Sequence, residues 1–226
     1  MALHNLSGDV SFLRESLAWY TFRGLGIPAS RAAYVRLTDN GVDHFYPNNL
    51  YLLVEAHDGD FLERWFDDAS GPMWEGDGDF GQPERLECDR GDCTDTTALL
   101  AVADAVENAS GDTFMAEVGA YLDWDAFFRF WAAEAMAQQG DGYTGNLRNF
   151  RIYWEPTKAR FYLLPWSLDL TFYTPDVLNT AWVSPLASAA TSSPSPRSSR
   201  PRSVAPSYRP ICWRAPRPTR RSAPRS

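Results

Sequence analysis

Residues 141–172 read DGYTGNLRNFRIYWEPTKARFYLLPWSLDLTF, and the order of groups in this stretch decides how the whole chain is read. Asp141 opens it, Asn146 and Asn149 follow, and Asp169 closes it 28 residues after Asp141. Between them NFRIYWE and RFYLLPW carry the short, aromatic-rich pattern of strands, with Pro156, Thr157, Lys158 and Ala159 marking a turn. A hairpin returns its two ends to one place, so the spacing predicts that the two aspartates meet there. Two carboxylates and two amides form the set that phosphoryl transfer from a nucleotide needs. One carboxylate serves the attacking hydroxyl; the other, with an amide oxygen, holds the divalent metal on the phosphates. Plainer readings exist for each residue. Asp141 suits an Asp-Gly turn, and Asn149 suits the start of a strand. Asp169 lies between Leu168 and Leu170, where a charge is costly unless metal-bound or paired, for instance with Arg148 or Arg151.

Working outward, TALLAVADAVENA (97–109) and LDWDAFFRFWAAEAMAQQ (122–139) have helical periodicity, the second with Asp123 or Asp125 as its cap. Trp124, Phe127, Phe128, Phe130 and Trp131 on it read as core. Nearer the N-terminus, residues 7–25 read as a helix capped by Ser7 or Asp9, and residues 61–66 as a short one. Residues 32–38 and 50–55 read as strands, with Asn40-Gly41 as a turn between them. Residues 69–95 are rich in Gly and Asp and read as a loop. The fold class is therefore α+β, and no internal repeat is present.

The formal net charge of −8 joins two unlike segments. Every one of the 29 acidic residues lies at or before Asp176, against 12 basic ones, a net of −17 for that part. Such a body repels nucleic acid. No run of about 18 apolar residues is present, so no membrane-spanning helix is expected. The N-terminus as given lacks the basic-then-apolar pattern of a signal peptide. Of residues 187–226, 33 of 40 are Pro, Arg, Ser or Ala, a composition that cannot bury enough apolar area to fold. The sequence thus divides into a domain over 1–187 and a disordered tail over 188–226. The tail reads either as a basic arm for acidic partners or, preferred for its abrupt composition change, as out-of-frame translation of GC-rich DNA. Cys88 and Cys93 in CDRGDC suit either a disulfide or two thiols. His4, His44 and His57 are scattered and read as surface or satisfied core residues. Glu75, Asp77, Asp79, Asp89, Asp92 and Asp95 do not follow the EF-hand spacing, and a calcium loop is the weaker alternative to a solvated one.

GDVSFLRESLAWYTFRGLGIPASRAAYVRLTDNG, LYLLVEAHDGDFLERWF, YLDWDAFFRFWAAEAMAQQGDGYTGNLRNFRIY and FYLLPWSLDLTF, in that order, resemble the spore-coat protein H (CotH) kinase family over about residues 5–185. The resemblance implies an atypical protein-kinase-like fold that binds ATP with Mg²⁺ or Mn²⁺. It implies transfer of phosphate to Ser/Thr of partner proteins, outside the cytoplasm or on a coat. On that basis Asp141 is the catalytic residue, Asp169 the principal metal ligand, and Asn146 and Asn149 hold metal or order the loop. Val54, Glu55 and Ala56 form the hinge that meets adenine, and Glu15 is the partner of a phosphate-binding lysine. The chain departs from the family pattern in four ways. The strands expected before the first helix, with their lysine, are missing. Ser167 stands where many members have Asp or Gly, the Asn40–Leu50 segment is longer than a tight turn, and the Arg/Pro tail replaces the end of the lobe. A truncated, weakly active or inactive kinase is the resulting expectation. A non-catalytic surface or coat interaction module on the same scaffold is the alternative.

Overall fold

The computed structural model describes residues 1–43 and 49–172. The tail, Cys212, and residues 44–48 of the long Asn40–Leu50 segment, His44 among them, lie outside the described residues. The elements are β1 (Ala2–His4), α1 (Arg14–Gly24), β2 (Ala32–Arg36), β3 (Thr38–Asp39), β4 (Val42–Asp43), β5 (Leu50–Val54) and α2 (Gly59–Trp65). There follow β6 (Met73–Gly76), β7 (Leu86–Arg90), α3 (Thr97–Asn108), α4 (Phe114–Gly119), α5 (Trp124–Ala137), α6 (Tyr143–Asn146), β8 (Phe150–Glu155) and β9 (Arg160–Pro165). The mixed α+β class read from the sequence is what forms.

One antiparallel sheet has the order β1-β5-β2. One strand therefore does precede the first helix: Ala2–His4 pairs with Leu52–Val54. The helix after it begins later than its periodicity predicts, at Arg14, because Asp9 caps it from a distance. The Asp9 carboxylate accepts from Arg14 N (2.8 Å), Ser11 N (2.9 Å) and Ser11 Oγ (2.6 Å), which folds residues 9–13 into a turn. Asn40 and Gly41, both at positive φ (50° and 80°), close the small β3–β4 hairpin.

The second sheet has the order β7-β6-β8-β9 and is antiparallel throughout. The reading of residues 69–95 as loop is corrected here, since β6 and β7 extend the β8–β9 hairpin into four strands. Its two faces follow the period-2 alternation of strands. Phe150, Ile152, Phe161, Leu163 and Trp74 join the main core. Tyr153, Leu164 and Met73 face the other way, onto Phe61 and Leu62 of α2. Register keeps these sets apart: Met73 lies opposite Tyr153, Trp74 opposite Ile152, and Ile152 opposite Leu163.

The main core joins α1 to α5. Trp19 and Phe22 of α1 are fully buried, and the Phe22 ring packs edge-on against Phe130, with centroids 5.7 Å apart. Phe22→Ala is expected to destabilise the protein by about 3–5 kcal/mol, as large-to-small changes in a packed core do. Urea unfolding checks this, and a loss below about 1 kcal/mol would show the α1–α5 contact to be loosely packed.

Candidate functional site

The path to Asp141 starts inside α5. The helix is capped by Asp123, whose carboxylate accepts from Ala126 N (3.0 Å), and it ends in the left-handed Gln138. Glu134, one turn earlier, is buried at 1% exposure on the apolar face with Phe127, Phe130 and Ala137. Its carboxylate accepts from Tyr143 N (2.8 Å), Thr144 N (2.9 Å) and Thr144 Oγ1 (2.7 Å), so a side chain from one helix caps the start of the next. Two glycines allow this close approach. A Cβ at Gly142 would lie 2.3 Å from Glu134 Oε1, and one at Gly145 would lie 2.3 Å from the Gly140 carbonyl oxygen. Burial pushes the Glu134 carboxyl up to about 7, outweighing the hydrogen bonds that pull it down.

Asp141 sits just before this short helix. Asn146 Nδ2 donates to Asp141 Oδ1. Asn149 Nδ2 donates to both Asp141 Oδ2 and the Asp141 carbonyl, each at 2.7 Å. The three residues singled out by spacing therefore form one cluster, and each amide nitrogen faces Asp141.

Asp169 lies on the single turn Leu168–Leu170 after β9. The expectation that its apolar neighbours bury it is corrected: Leu168 is buried, but Asp169 is exposed. Ser167 Oγ donates to Asp169 Oδ1 at 3.0 Å. The arginines proposed as its salt-bridge partners lie elsewhere. Arg148 pairs with Asp77 (3.0 Å), and Arg151 with Glu75 (2.9 Å) and Asp89 (3.3 Å).

The segments carrying Asp141 and Asp169 are laced together. Trp166 N donates to the Asn149 carbonyl (2.9 Å), Gln139 Nε2 to the Ser167 carbonyl (3.2 Å), and Phe172 N to the Ala137 carbonyl (2.8 Å). Gln138, Leu147, Asn149 and Ser167, none of them glycine, all hold left-handed backbones around these two segments. Such conformations persist only where surrounding contacts over-determine them, and they concentrate at functional sites.

Asp169, Ser167, His4, Glu15 and Tyr51 line a cavity of about 570 Å³. Glu15 is 1% exposed; its Oε1 meets His4 Nδ1 at 2.6 Å and accepts from Trp19 Nε1 at 3.1 Å. Its Oε2 is buried and has no hydrogen-bond partner among the described residues. The hydrogen bond to Glu15 raises the His4 pKa, against the opposing effect of burial, and Asp169 adds to the rise. His4, read with the other histidines as a surface or satisfied core residue, is half-buried and satisfied by Glu15, which it shares with Trp19. A second cavity, of about 700 Å³, is lined by Asn149, Arg148, Arg85, Asp77 and Trp166 among others. Trp166 also packs edge-on to His4, with ring centroids 6.4 Å apart, and so stands beside both cavities.

Val54, Glu55 and Ala56 are placed apart from this cluster. Val54 is buried in the ladder opposite Ala2 and Ala32. Glu55 lines a separate cavity of about 170 Å³ with Arg31 and Met1. Its carboxylate is gripped by Arg31 (2.6 Å) and Arg64 (2.5 Å), its N–H donates to the Arg31 carbonyl (2.9 Å), and its carbonyl accepts from Ser30 Oγ (2.8 Å). Burial acts to raise the Glu55 carboxyl, but the Arg64 and Arg31 hydrogen bonds win and hold it at about 2.

The acidic residues weighed as a calcium loop have local partners as well. Besides the arginine pairs, Asp79 accepts from Gly81 N (2.8 Å), Asp92 from Thr94 N (3.0 Å) and Asp95 from Thr97 N (2.9 Å). Cys88 and Cys93 are joined as a disulfide, which settles the choice the sequence left open. Among the described residues no three His, Cys, Asp or Glu side chains form a ready metal cage. No helix among them is long and apolar enough to cross a membrane.

Of the residues that spacing alone did not reveal, Glu134 carried a readable signal. It is an acid on the apolar face of a helix, seven residues before Asp141, where burial demands a partner. His4, Gln139 and Trp166 gave none, because their roles depend on pairings between distant segments.

Residues 1–207 match the family of CotH kinase proteins, and the chain belongs to that family. The membership points to kinase-like function. No curated protein matches the chain.

Glu55 sets a pH test. A carboxyl held below its ordinary 4.5 contributes stability that is complete above 4.5 and is lost as pH falls toward 2. Glu55→Gln is expected to lower the melting temperature at neutral pH and to flatten its dependence on pH between those limits. A wild-type profile retained in the variant would assign the acid sensitivity elsewhere.

Proposed function

We propose that the chain is a kinase-like phosphotransferase domain that takes ATP with Mg²⁺ or Mn²⁺ and phosphorylates Ser or Thr of a protein partner. The observation that supports this best is the Asp141–Asn146–Asn149 cluster laced to the Asp169 turn beside a cavity walled by His4 and Glu15. The donor set suits the metal. Mg²⁺ prefers oxygen ligands and is held by one or two carboxylates plus substrate phosphates, so a full protein cage is not required. The amide nitrogens of Asn146 and Asn149 engage Asp141, which leaves their oxygens for a cation. The orphaned Glu15 Oε2 on the wall of the Asp169 cavity marks a place where a cationic group would complete the hydrogen bonding.

A bound metal ion supplies charge neutralisation on the phosphates. Asp169, oriented by Ser167, would hold that ion together with Asn149 or Asn146. Asp141 orients the acceptor hydroxyl and receives its proton. The new bond joins the acceptor oxygen to the γ-phosphorus, the bond from that phosphorus to the β,γ-bridging oxygen breaks, and ADP leaves. The three-stranded sheet with α1 forms the half that covers the nucleotide, in the manner of a small kinase lobe, with β1 in the place of a strand bearing the phosphate-contacting group. With Glu55 fixed by two arginines, an adenine contact in this region would fall to the backbone near Ala56. The Cys88–Cys93 disulfide suits an oxidising compartment, in keeping with action at a coat or cell surface.

Calorimetric titration with ATP and Mn²⁺ tests this reading. Wild type is expected to bind, Asp169→Ala to lose at least about tenfold in affinity, and Asp141→Asn to bind normally while losing phosphorylation of a protein acceptor. Absence of any metal-dependent nucleotide affinity would favour a non-catalytic interaction module on the same scaffold.

A further inference from the structure

The Glu134 carboxylate is a fully enclosed acid that reaches the backbone of the loop presenting Asp141. Its three hydrogen bonds end on consecutive residues, Tyr143 and Thr144, at the first turn of α6. That helix ends at Asn146, whose amide grips Asp141 Oδ1. The route from the interior to the carboxylate therefore runs Glu134, α6, Asn146, Asp141, with no exposed link before Gly145. Gly142 admits no side chain without a shift, because a Cβ there would meet Glu134 Oε1. At the other end Glu134 is anchored by α5, whose Phe130 packs on both Phe22 and Tyr143.

We propose that Glu134 is a positioning residue for Asp141, fixing the turn from which the Asp141 carboxylate is aimed. The inference rests on the phosphotransferase reading and adds to it a residue that touches neither nucleotide nor acceptor. An ionised Glu134 has acceptor oxygens for all three donors. A protonated one turns a donor toward a neighbouring N–H and loses part of that set. Burial places this change at about pH 7. Ionisable groups near it among the described residues include Tyr143, whose hydroxyl donates to Asp79 (3.4 Å), and Asp141 beyond Gly142. The three hydrogen bonds are complete only in the ionised form, although burial itself favours the neutral acid.

Glu134→Gln keeps the shape but sets an amide NH₂ against a backbone N–H. Two measurements on the variant separate the claims. Amide hydrogen exchange at pH 8, read by NMR, is expected to quicken at Tyr143 and Thr144 by about tenfold or more, with strands β8 and β9 unchanged. Acceptor phosphorylation is expected to show kcat reduced about ten- to hundredfold, with KM for ATP within about twofold. The acidic limb of the wild-type pH–rate profile near 7 should vanish in the variant. Thr144→Ser, which keeps the hydroxyl, should behave as wild type, and Thr144→Val should show a weaker form of the Glu134→Gln defect. Unchanged exchange at Tyr143 and Thr144 overturns the structural role of Glu134. Quickened exchange with unaltered kcat overturns the positioning role. A wild type without metal-dependent phosphorylation instead overturns the phosphotransferase reading itself, and the exchange result then stands apart from it.

Discussion

The hydrogen bond from Trp166 N to the Asn149 carbonyl is the constraint on which the site depends. It continues the β8–β9 ladder one step past the Phe150–Pro165 pair and so closes the open end of the hairpin. Immediately beyond it the chain diverges, one strand leading back to Asp141 and the other forward to Asp169. Asn149 performs both tasks at once: its backbone closes the hairpin while its side chain holds Asp141. The register of a hairpin is set by its hydrophobic faces and its turn, since a slip of one residue would exchange the two faces. The core packing of Ile152 and Leu163 on one side and Tyr153 and Leu164 on the other thus fixes where the two aspartates emerge.

Buried carboxylates hold the rest of the framework to this hairpin. Glu134 ties α5 to the Asp141 loop, Glu15 ties α1 to β1, and Glu155 accepts from Asp68 N (3.1 Å), tying the approach to β6 to the hairpin turn. Each is nearly inaccessible, and each would be expensive to bury without donors. Glu15 is the exception that bears on function, because one of its oxygens lacks a partner among the described residues while the side chain lines the Asp169 cavity.

Much of this was legible from the residues. The hairpin, α3 and α5 follow from periodicity, and the Asp141–Asn146–Asn149 grouping follows from spacing, whereas α1 begins at Arg14 and buries Trp19 and Phe22 while Leu17 and Tyr20 stay exposed. The strands β6 and β7 were not legible for a physical reason. β7, LECDR, is an edge strand with one neighbour, and edge strands carry charges that discourage further pairing, so its composition reads as loop. β1 has only three residues and exists because β5 offers it a partner. The exposure of Asp169 was not legible because the next residue, Leu170, is itself 42% exposed, so an apolar neighbour did not mean a buried setting. The Glu55 grip depends on Arg64 of α2 and Arg31 just before β2 both reaching the end of β5, which no local pattern encodes.

The central claim is that the Asp141 loop and the Asp169 turn flank one nucleotide–metal site. Paramagnetic line broadening tests it most directly, with substoichiometric Mn²⁺ added to the ATP-saturated, isotope-labelled protein. The account expects amides of residues 141–149 and 167–170 to broaden together, with those of α3 untouched. Broadening confined to one of the two segments, or centred on the acidic stretch 87–95, would contradict it.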